Sequence, residues 1–359
     1  MRGLNEASIN PLVSIIILNY NGAGVVDRCV KSVLDTNYSN FEVIFVDNAS
    51  VDGSYELIVR QFGKDRRLHF VKNNENKGFA EGNNIGLTYA KGAYITLLNN
   101  DTEVDKNWLC ESIKVAESEE KVGIVQSKLF FWYNREVLES AGAFIDRCGY
   151  GFERGFVRNK NTYDGVDEVF YANGAAVTIK MLALKMMCGL GKIELFDSDF
   201  FFAYEDVDLS WKMRLAGYKT VVAPSSVVYH RRSTSTSRNR GRLVFHHCKN
   251  RIMTLVKNYS LFNLMKYLPL LLVLELVRAS SSLAGGQLGC GLAILKAFLW
   301  NLISFSRNWK KRLVVQYLVR QMPDRYITIL MKEVNPASLI FNQRLYQKFS
   351  ASTGVNIVR

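Results

Sequence analysis

Six cysteines (Cys29, Cys110, Cys148, Cys188, Cys248 and Cys290) are scattered through 359 residues, and no two of them form a C-x-x-C pair. That scatter argues against a zinc site or a disulfide framework and for a reducing compartment. No charged, apolar and small-residue leader opens the chain, because the first apolar run, VSIIILN from Val13, is only strand length. The front of the chain is therefore expected to stay in the cytoplasm. There is no internal repeat and no low-complexity tract. Acids are scarce in one region only. From Arg231 to Arg359 there are 21 Lys and Arg against three acids (Glu275, Asp324, Glu333), a surplus of 18, whereas residues 1–230 carry 25 bases and 30 acids. The net charge of +13 thus conceals a slightly acidic front joined to a strongly basic rear. Such asymmetry predicts that the rear meets a polyanion, either nucleic acid or an anionic membrane surface.

What is present begins with core material: 48% of residues are apolar and 12% aromatic, which excludes wholesale disorder. In the front half, β-branched runs alternate with helical patterns. Strands are expected at 13–19, 41–47, 68–71 and 93–99, with helices over 25–36, near 54–62 and near 80–90. This alternation reads as right-handed βαβ units on a parallel sheet covered on both faces. From about 122 to 180 the pattern changes to a mixed or antiparallel extension with a long surface loop around 146–166. A helix from Glu205 to Ala216, stopped by Gly217, and a strand ending at His230 follow, and then a basic, hydroxyl-rich loop.

Three of the strands run straight into polar clusters: NYNG at 19–22, DNASVDGS at 47–54 and NNDTEVD at 99–105. In an open α/β sheet the ligand sits outside the carboxyl ends of the strands, so these clusters should line one crevice. A fourth cluster, Glu205, Asp206 and Asp208, lies behind the bulky stretch FFAY at the start of a helix. Acids there complement the helix dipole and cap the first turn, and they also supply carboxylates for proton transfer. The rear is helical over 243–277, mixing bases with Leu, Phe, Met and Tyr, and apolar over 279–306 apart from Lys296. Lys266, Glu275 and four glycines interrupt it, so helices lying in a membrane interface are expected rather than a clean span.

The segments VSIIILNYNG, FEVIFVDNASVDGS, NENKGFAEGNNIG, LLNNDTEVDKNW and FFAYEDVDLSWKMRLAGYK occur in the order and spacing of glycosyltransferase family 2. Over roughly residues 12–256 the chain resembles this family, most closely its rhamnosyltransferase-like branch of bacterial surface-polysaccharide synthesis. The resemblance implies a GT-A fold, Rossmann-like, with a mixed, mainly parallel sheet flanked by helices. Residues 1–242 would be the nucleotide-sugar-binding catalytic domain and 243–359 a basic amphipathic helical region on the membrane. It implies an inverting sugar transfer in which Asp206 is the general base and Glu205 orients the acceptor or bonds nearby backbone. Asp208 is expected to cap or pair on the helix. The family's DxD motif falls on Asn99 to Asp101, with Asn99 replacing the first acid; Asp101 and His230 would hold Mg²⁺ or Mn²⁺. Asn19, Asn21, Asp47 and Asn99 would serve base or ribose, and Gly78 and Asn84 the diphosphate or sugar. Asp52 reads either as a ligand or as a cap of the next helix. The expected partners are a dTDP- or UDP-linked donor (dTDP-rhamnose or a UDP-hexose), a lipid-linked or growing glycan acceptor, and the anionic cytoplasmic face of the inner membrane, with no nucleic acid. The competing reading is a non-catalytic nucleotide-binding module or degenerate transferase scaffold with a nucleic-acid- or membrane-binding tail.

Overall fold

Runs of Val, Ile, Leu and Phe with no polar face form stable strands only where both faces are covered. Such runs make up β1 (Val13–Asn19), β2 (Phe41–Asp47), β3 (Leu68–Lys72) and β4 (Tyr94–Asn99), parallel and in the spatial order β3-β2-β1-β4. The structure is a computed structural model describing residues 10–189, 191–232 and 240–334. Helices α1 (Val26–Leu34) and α2 (Ser54–Phe62) cover one face and α3 (Gly78–Leu87) the other. In register, Asn19 lies opposite Asp47 and Leu18 opposite Asn99, which brings the polar residues after β1, β2 and β4 to one edge.

The sheet continues past β4 with reversed neighbours. β5 (Thr102–Val104) and α4 (Trp108–Glu117) lead into β6 (Val122–Phe131) and β7 (Asn134–Ser140). The short β8 (Ala143–Ile145), β9 (Gly151–Glu153) and β10 (Asp167–Glu168) precede β11 (Ala176–Lys180), which pairs antiparallel to both β4 and β6. After α5 (Met181–Cys188) and α6 (Glu205–Leu215), β12 (Lys219–His230) runs parallel to β6 and antiparallel to β5. Gly217, with φ +87°, turns the chain out of α6. The mixed extension expected from sequence is present. The surface loop expected from 146 is not on the surface at its start: Cys148, Tyr150 and Phe152 are buried, because the rear helices lie over them.

Those helices are α7 (Arg240–Asn258), α8 (Leu261–Ala284), α9 (Leu288–Ile303), α10 (Phe305–Val314) and α11 (Asp324–Thr328). The basic loop expected after His230 falls mostly at 233–239, outside the described residues. One hydrophobic core runs from Ile16 and Ile44 of the sheet through Trp211 of α6 to Leu255, Tyr259 and Leu271. Tyr259 meets the Trp211 ring edge-on at 4.8 Å, a contact contributing about 0.5–1.5 kcal/mol beyond its buried area. Glu275, the acid that interrupts the apolar run, points inward: it is wholly buried, ion-paired with Arg251 and Arg278, and accepts the Tyr150 hydroxyl at 2.9 Å. The outer faces of α8, α9 and α10 carry Phe262, Met265, Leu302, Ile303, Phe305 and Val314, all exposed.

Candidate active site

At the carboxyl edge of the sheet, Asn19 is the hub. Its Nδ2 donates to Asp47 Oδ1 at 2.9 Å and to the hydroxyls of Ser54 (2.9 Å) and Ser50 (3.1 Å), and its Oδ1 accepts from Asn100 Nδ2 at 2.8 Å. Asp47 is wholly buried, and its second oxygen accepts the Ser50 N–H at 3.0 Å. Asn21 (φ +52°) accepts the Val51 N–H, and Asp52 accepts from Ala23 N–H and from both Ser54 N–H and Ser54 Oγ. Asp52 thus closes an Asx turn just ahead of α2 and fastens the loop after β1 to the loop after β2. The three strand-end clusters therefore converge, through bonds among their own side chains.

Gly78 and Asn84 face protein groups. Gly78 has φ +79°, and a Cβ there would lie 2.5 Å from the Phe201 carbonyl oxygen and 2.7 Å from its ring. The close approach that glycine permits is made by the turn at Phe201. Asn84 donates to the Phe196 carbonyl at 2.8 Å and accepts the N–H groups of Leu195 and Phe196 at 3.1 Å. Both residues fasten α3 to the segment leading into α6.

Asp101 and His230 come together from the end of β4 and the end of β12. His230 Nε2 lies 3.2 Å from Asp101 Oδ1 and 3.5 Å from the Asn99 amide nitrogen. The other ring nitrogen, Nδ1, sits 2.8 and 3.0 Å from the two oxygens of Glu139, a wholly buried carboxylate on β7. Burial opposes a charged imidazole, but Glu139 and Asp101 outweigh it and push His230 up to about 10. Burial likewise opposes an ionised Glu139, and the His230 and Arg232 charges overcome it and hold its carboxyl below the usual range. A carboxylate behind a histidine fixes its ring and aims the other nitrogen outward, where a divalent cation would take the place of the Nε2 proton, and hard divalent cations use one or two carboxylates together with substrate phosphates. Among the described residues no group of three or more His, Cys, Asp or Glu forms a closed metal cage. The donor set of Asp101 and His230 fits an open site of this kind, completed by substrate oxygens. Glu139 has no sequence signal beyond its being an acid 91 residues from its partner.

Asp206 lies in the first turn of α6, beside this edge. Its Oδ2 accepts the Gly174 N–H at 3.2 Å and its Oδ1 the Val207 N–H at 2.8 Å. The next residue, Ala175, accepts the Asn99 N–H at 2.9 Å, so two residues of backbone join Asp206 to the end of β4. Glu205 is buried, and its Oε2 has no hydrogen-bond partner among the described residues. Burial first, and the Asp206 charge second, hold the Glu205 carboxyl well above the usual range. Two adjacent acids with divided environments can hold one proton and one charge. Asp208 turns away: it pairs with Lys257 at 3.0 Å and Lys212 at 3.1 Å and accepts Asn258 Nδ2 at 3.0 Å. Beside Asp101 a shallow cleft is lined by Gly24, Arg28, Trp132 and Arg231, and both guanidiniums lie over the Trp132 ring.

A family model described as "Glycosyl transferase family group 2" matches residues 94–305, and one described as "Glycosyl transferase family 2" matches residues 14–173. The chain belongs to glycosyl transferase family 2. Its curated relatives include an uncharacterized protein of Sinorhizobium fredii, y4gI, 32% identical over 63% of this chain and 25% of that protein. Another is the Escherichia coli UDP-Glc:alpha-D-GlcNAc-diphosphoundecaprenol beta-1,3-glucosyltransferase WfaP, 35% identical over 36% of this chain and 47% of the relative. The chain spans less than half the length of the curated relatives it matches. Among solved structures, the Pyrobaculum calidifontis mannosyltransferase PcManGT with GDP-Man and Mn²⁺ superposes with a TM-score of 0.51 at 17% identity, covering 86% of this chain and 87% of that one. GalNAc-T7 with UDP, GalNAc and Mn²⁺ gives 0.54 at 17% identity, over 69% and 48% of the two chains. At that identity the likeness is one of fold: a mixed, mostly parallel GT-A sheet flanked by helices.

Proposed function

We propose that this protein is an inverting glycosyltransferase that moves a sugar from a pyrimidine nucleotide donor to a hydroxyl of a lipid-linked or growing surface glycan. The observation that carries the reading is the two-residue bridge, Gly174 and Ala175, that joins the Asp206 carboxylate to the end of β4 beside Asp101 and His230. Asp206 takes the proton of the acceptor hydroxyl as that oxygen forms its bond to the anomeric carbon. The bond between that carbon and the diphosphate oxygen breaks on the opposite side, which inverts the centre. Glu205, protonated behind Asp206, leaves one negative charge in the pair. Asp101 and His230 would hold Mg²⁺ or Mn²⁺, which supplies positive charge to the leaving diphosphate. Asn19, Asn21 and Asp47 form the nucleoside end, with Asn99 between it and the metal end. Gly78 and Asn84 act at the sugar end by setting the wall made by residues 195–201. The donor is dTDP-rhamnose or a UDP-hexose, and the UDP-Glc in the name of the E. coli relative supports the second.

The rear helices seat the enzyme on the anionic cytoplasmic face of the inner membrane. α8 is, among the described residues, long and apolar enough to cross a bilayer, and α9 with the following helix forms a second apolar pair bent by 67°. The inward, ion-paired Glu275 and the exposed apolar residues on one side favour helices that lie along the surface. Anionic headgroups complement the surplus of 18 positive charges in the rear.

Asp206→Asn tests the chemistry. UDP and dTDP binding with Mn²⁺, measured by calorimetry, should persist while transfer falls by about 10²–10⁴-fold; near-normal turnover would remove Asp206 as the base. For the membrane, sedimentation with phosphatidylglycerol vesicles but not with phosphatidylcholine vesicles is expected. Equal recovery with both would refute the electrostatic part.

A further inference from the structure

Just before the carboxylate pair, the backbone adopts a conformation rare for residues with side chains. Phe201 has φ +62° and ψ −61°, and the Phe202 N–H donates to the Phe200 carbonyl at 2.8 Å, which makes a γ-turn of the strained, positive-φ kind. Ala203 and Tyr204 follow in the left-handed region at φ +68° and +70°. Three such residues in four positions persist only when their surroundings over-determine them. The surroundings can be named carbonyl by carbonyl. The Phe201 carbonyl accepts from Phe79 N–H (2.6 Å) and Ala80 N–H (3.1 Å) at the start of α3. The carbonyls of Phe200, Phe202 and Ala203 all accept from one amide, Nδ2 of Asn250 on α7, at 3.0, 2.9 and 2.7 Å.

We propose that Asn250 is a positioning residue for transfer, whose side-chain amide holds this strained turn and thereby aims Asp206. The proposal rests on the assignment of Asp206 as the base. Asn250 is wholly buried, and its Oδ1 has no partner among the described residues, so donation is what the side chain does here. The turn leads directly into the catalytic pair, because the Tyr204 carbonyl accepts the Asp208 N–H at 2.9 Å and so opens α6. A change of φ at Ala203 or Tyr204 swings the first residues of that helix. The neighbouring Arg251 closes the other side, its Nε donating to the Tyr204 hydroxyl at 2.8 Å. The base is therefore aimed from a rear helix as well as from the sheet.

The test uses the full chain and nucleotide release from UDP-glucose and dTDP-rhamnose, continuing with whichever donor the wild type uses faster. Asn250→Leu keeps the size and removes the donor; kcat should fall by about 100-fold with KM for the sugar nucleotide within about threefold. Ala203→Gly in the same chain should restore kcat at least about fivefold, because glycine takes φ +68° without strain. Leu255→Ala makes a cavity on the same helix without removing a hydrogen-bond donor and should lower the melting temperature while keeping kcat. Should Asn250→Leu fail to fold, Asn250→Ser, with one shorter donor, should show the same split at about tenfold. The assignment is overturned if kcat survives in the Asn250 variant, or if it falls only as stability falls in Leu255→Ala and glycine gives no rescue. Asp206→Asn is measured alongside: normal turnover there overturns the base, whereas its loss beside a normal Asn250 variant overturns the positioning role alone. A wild type that releases nucleotide from neither donor overturns both.

Discussion

Lys257→Met should destabilise the protein far more than Lys212→Met, although both lysines pair with the same carboxylate. Lys257 is almost wholly buried and bridges two acids, Asp197 at 2.9 Å and Asp208 at 3.0 Å. Methionine keeps most of the aliphatic stem, so the change removes charge with little loss of packing. Removing one partner of a buried ion pair costs about 3–5 kcal/mol. The lower end of that range, about 3 kcal/mol, is expected here because Lys311 still reaches Asp197 and Lys212 still reaches Asp208. Lys212 pairs with Asp208 alone, in the (i, i+4) geometry, and its loss leaves Lys257 bridging both acids, so it should cost less than the loss of Lys257. The pH dependence follows from linkage. Burial raises both carboxyls, but the lysines outweigh it and hold them below 3.8, so the stability they contribute is present above that value and is lost as pH falls through their folded values. Without Lys257 the folded-state values rise and the folded variant takes up protons earlier, so its deficit against wild type should narrow as pH falls from 7 towards 4. Urea unfolding followed by tryptophan fluorescence at several pH values measures both effects. Equal losses in the two variants, or a deficit that widens on acidification, would refute the reasoning.

Glu205→Gln should stabilise the protein increasingly as pH rises above 4.5. The folded carboxyl, raised first by burial and then by Asp206, holds a proton that the unfolded chain releases, so wild-type stability falls with pH between those two values, and glutamine removes that slope. Melting temperatures at pH 5, 6.5 and 8 check it; a pH-independent difference would show that Glu205 is ionised. Glu139→Gln should weaken Mn²⁺ binding by about 10–100-fold, because the carboxylate that fixes the His230 ring is lost. Calorimetry in the presence of UDP reads this, and unchanged affinity would remove His230 from the metal site.

The front of the fold is legible because its signals are local. The apolar runs at Val13 and Phe41 begin and end where β1 and β2 do, since each strand is buried on both faces and turns polar where the sheet ends. Convergence of the strand-end clusters is legible for the same reason, through the register of parallel strands. What those side chains do once together is not legible. Gly78 and Asn84 spend their contacts on the segment 195–201, more than a hundred residues on, and nothing in NKGFAEGNN announces that partner. Glu139 and Asn250 escape sequence reading because each acts across a long chain separation, from β7 and α7, on a group in another element. The burial of Cys148 and Tyr150 is hidden likewise, since their cover is supplied by α7 and α8.

The continuous core beneath α7 has a practical consequence for handling this protein. A truncation after Val256, the obvious route to a soluble fragment, discards Lys257 and Tyr259, whose side chains close the core over Trp211 and neutralise Asp197 and Asp208. Such a fragment would lose activity through unfolding, and its behaviour would say nothing about lipid. Solubility is better sought by recolouring the exterior. Polar replacements at Phe262, Met265, Leu302 and Ile303 alter outward-facing positions and leave Asn250 and Lys257 in place.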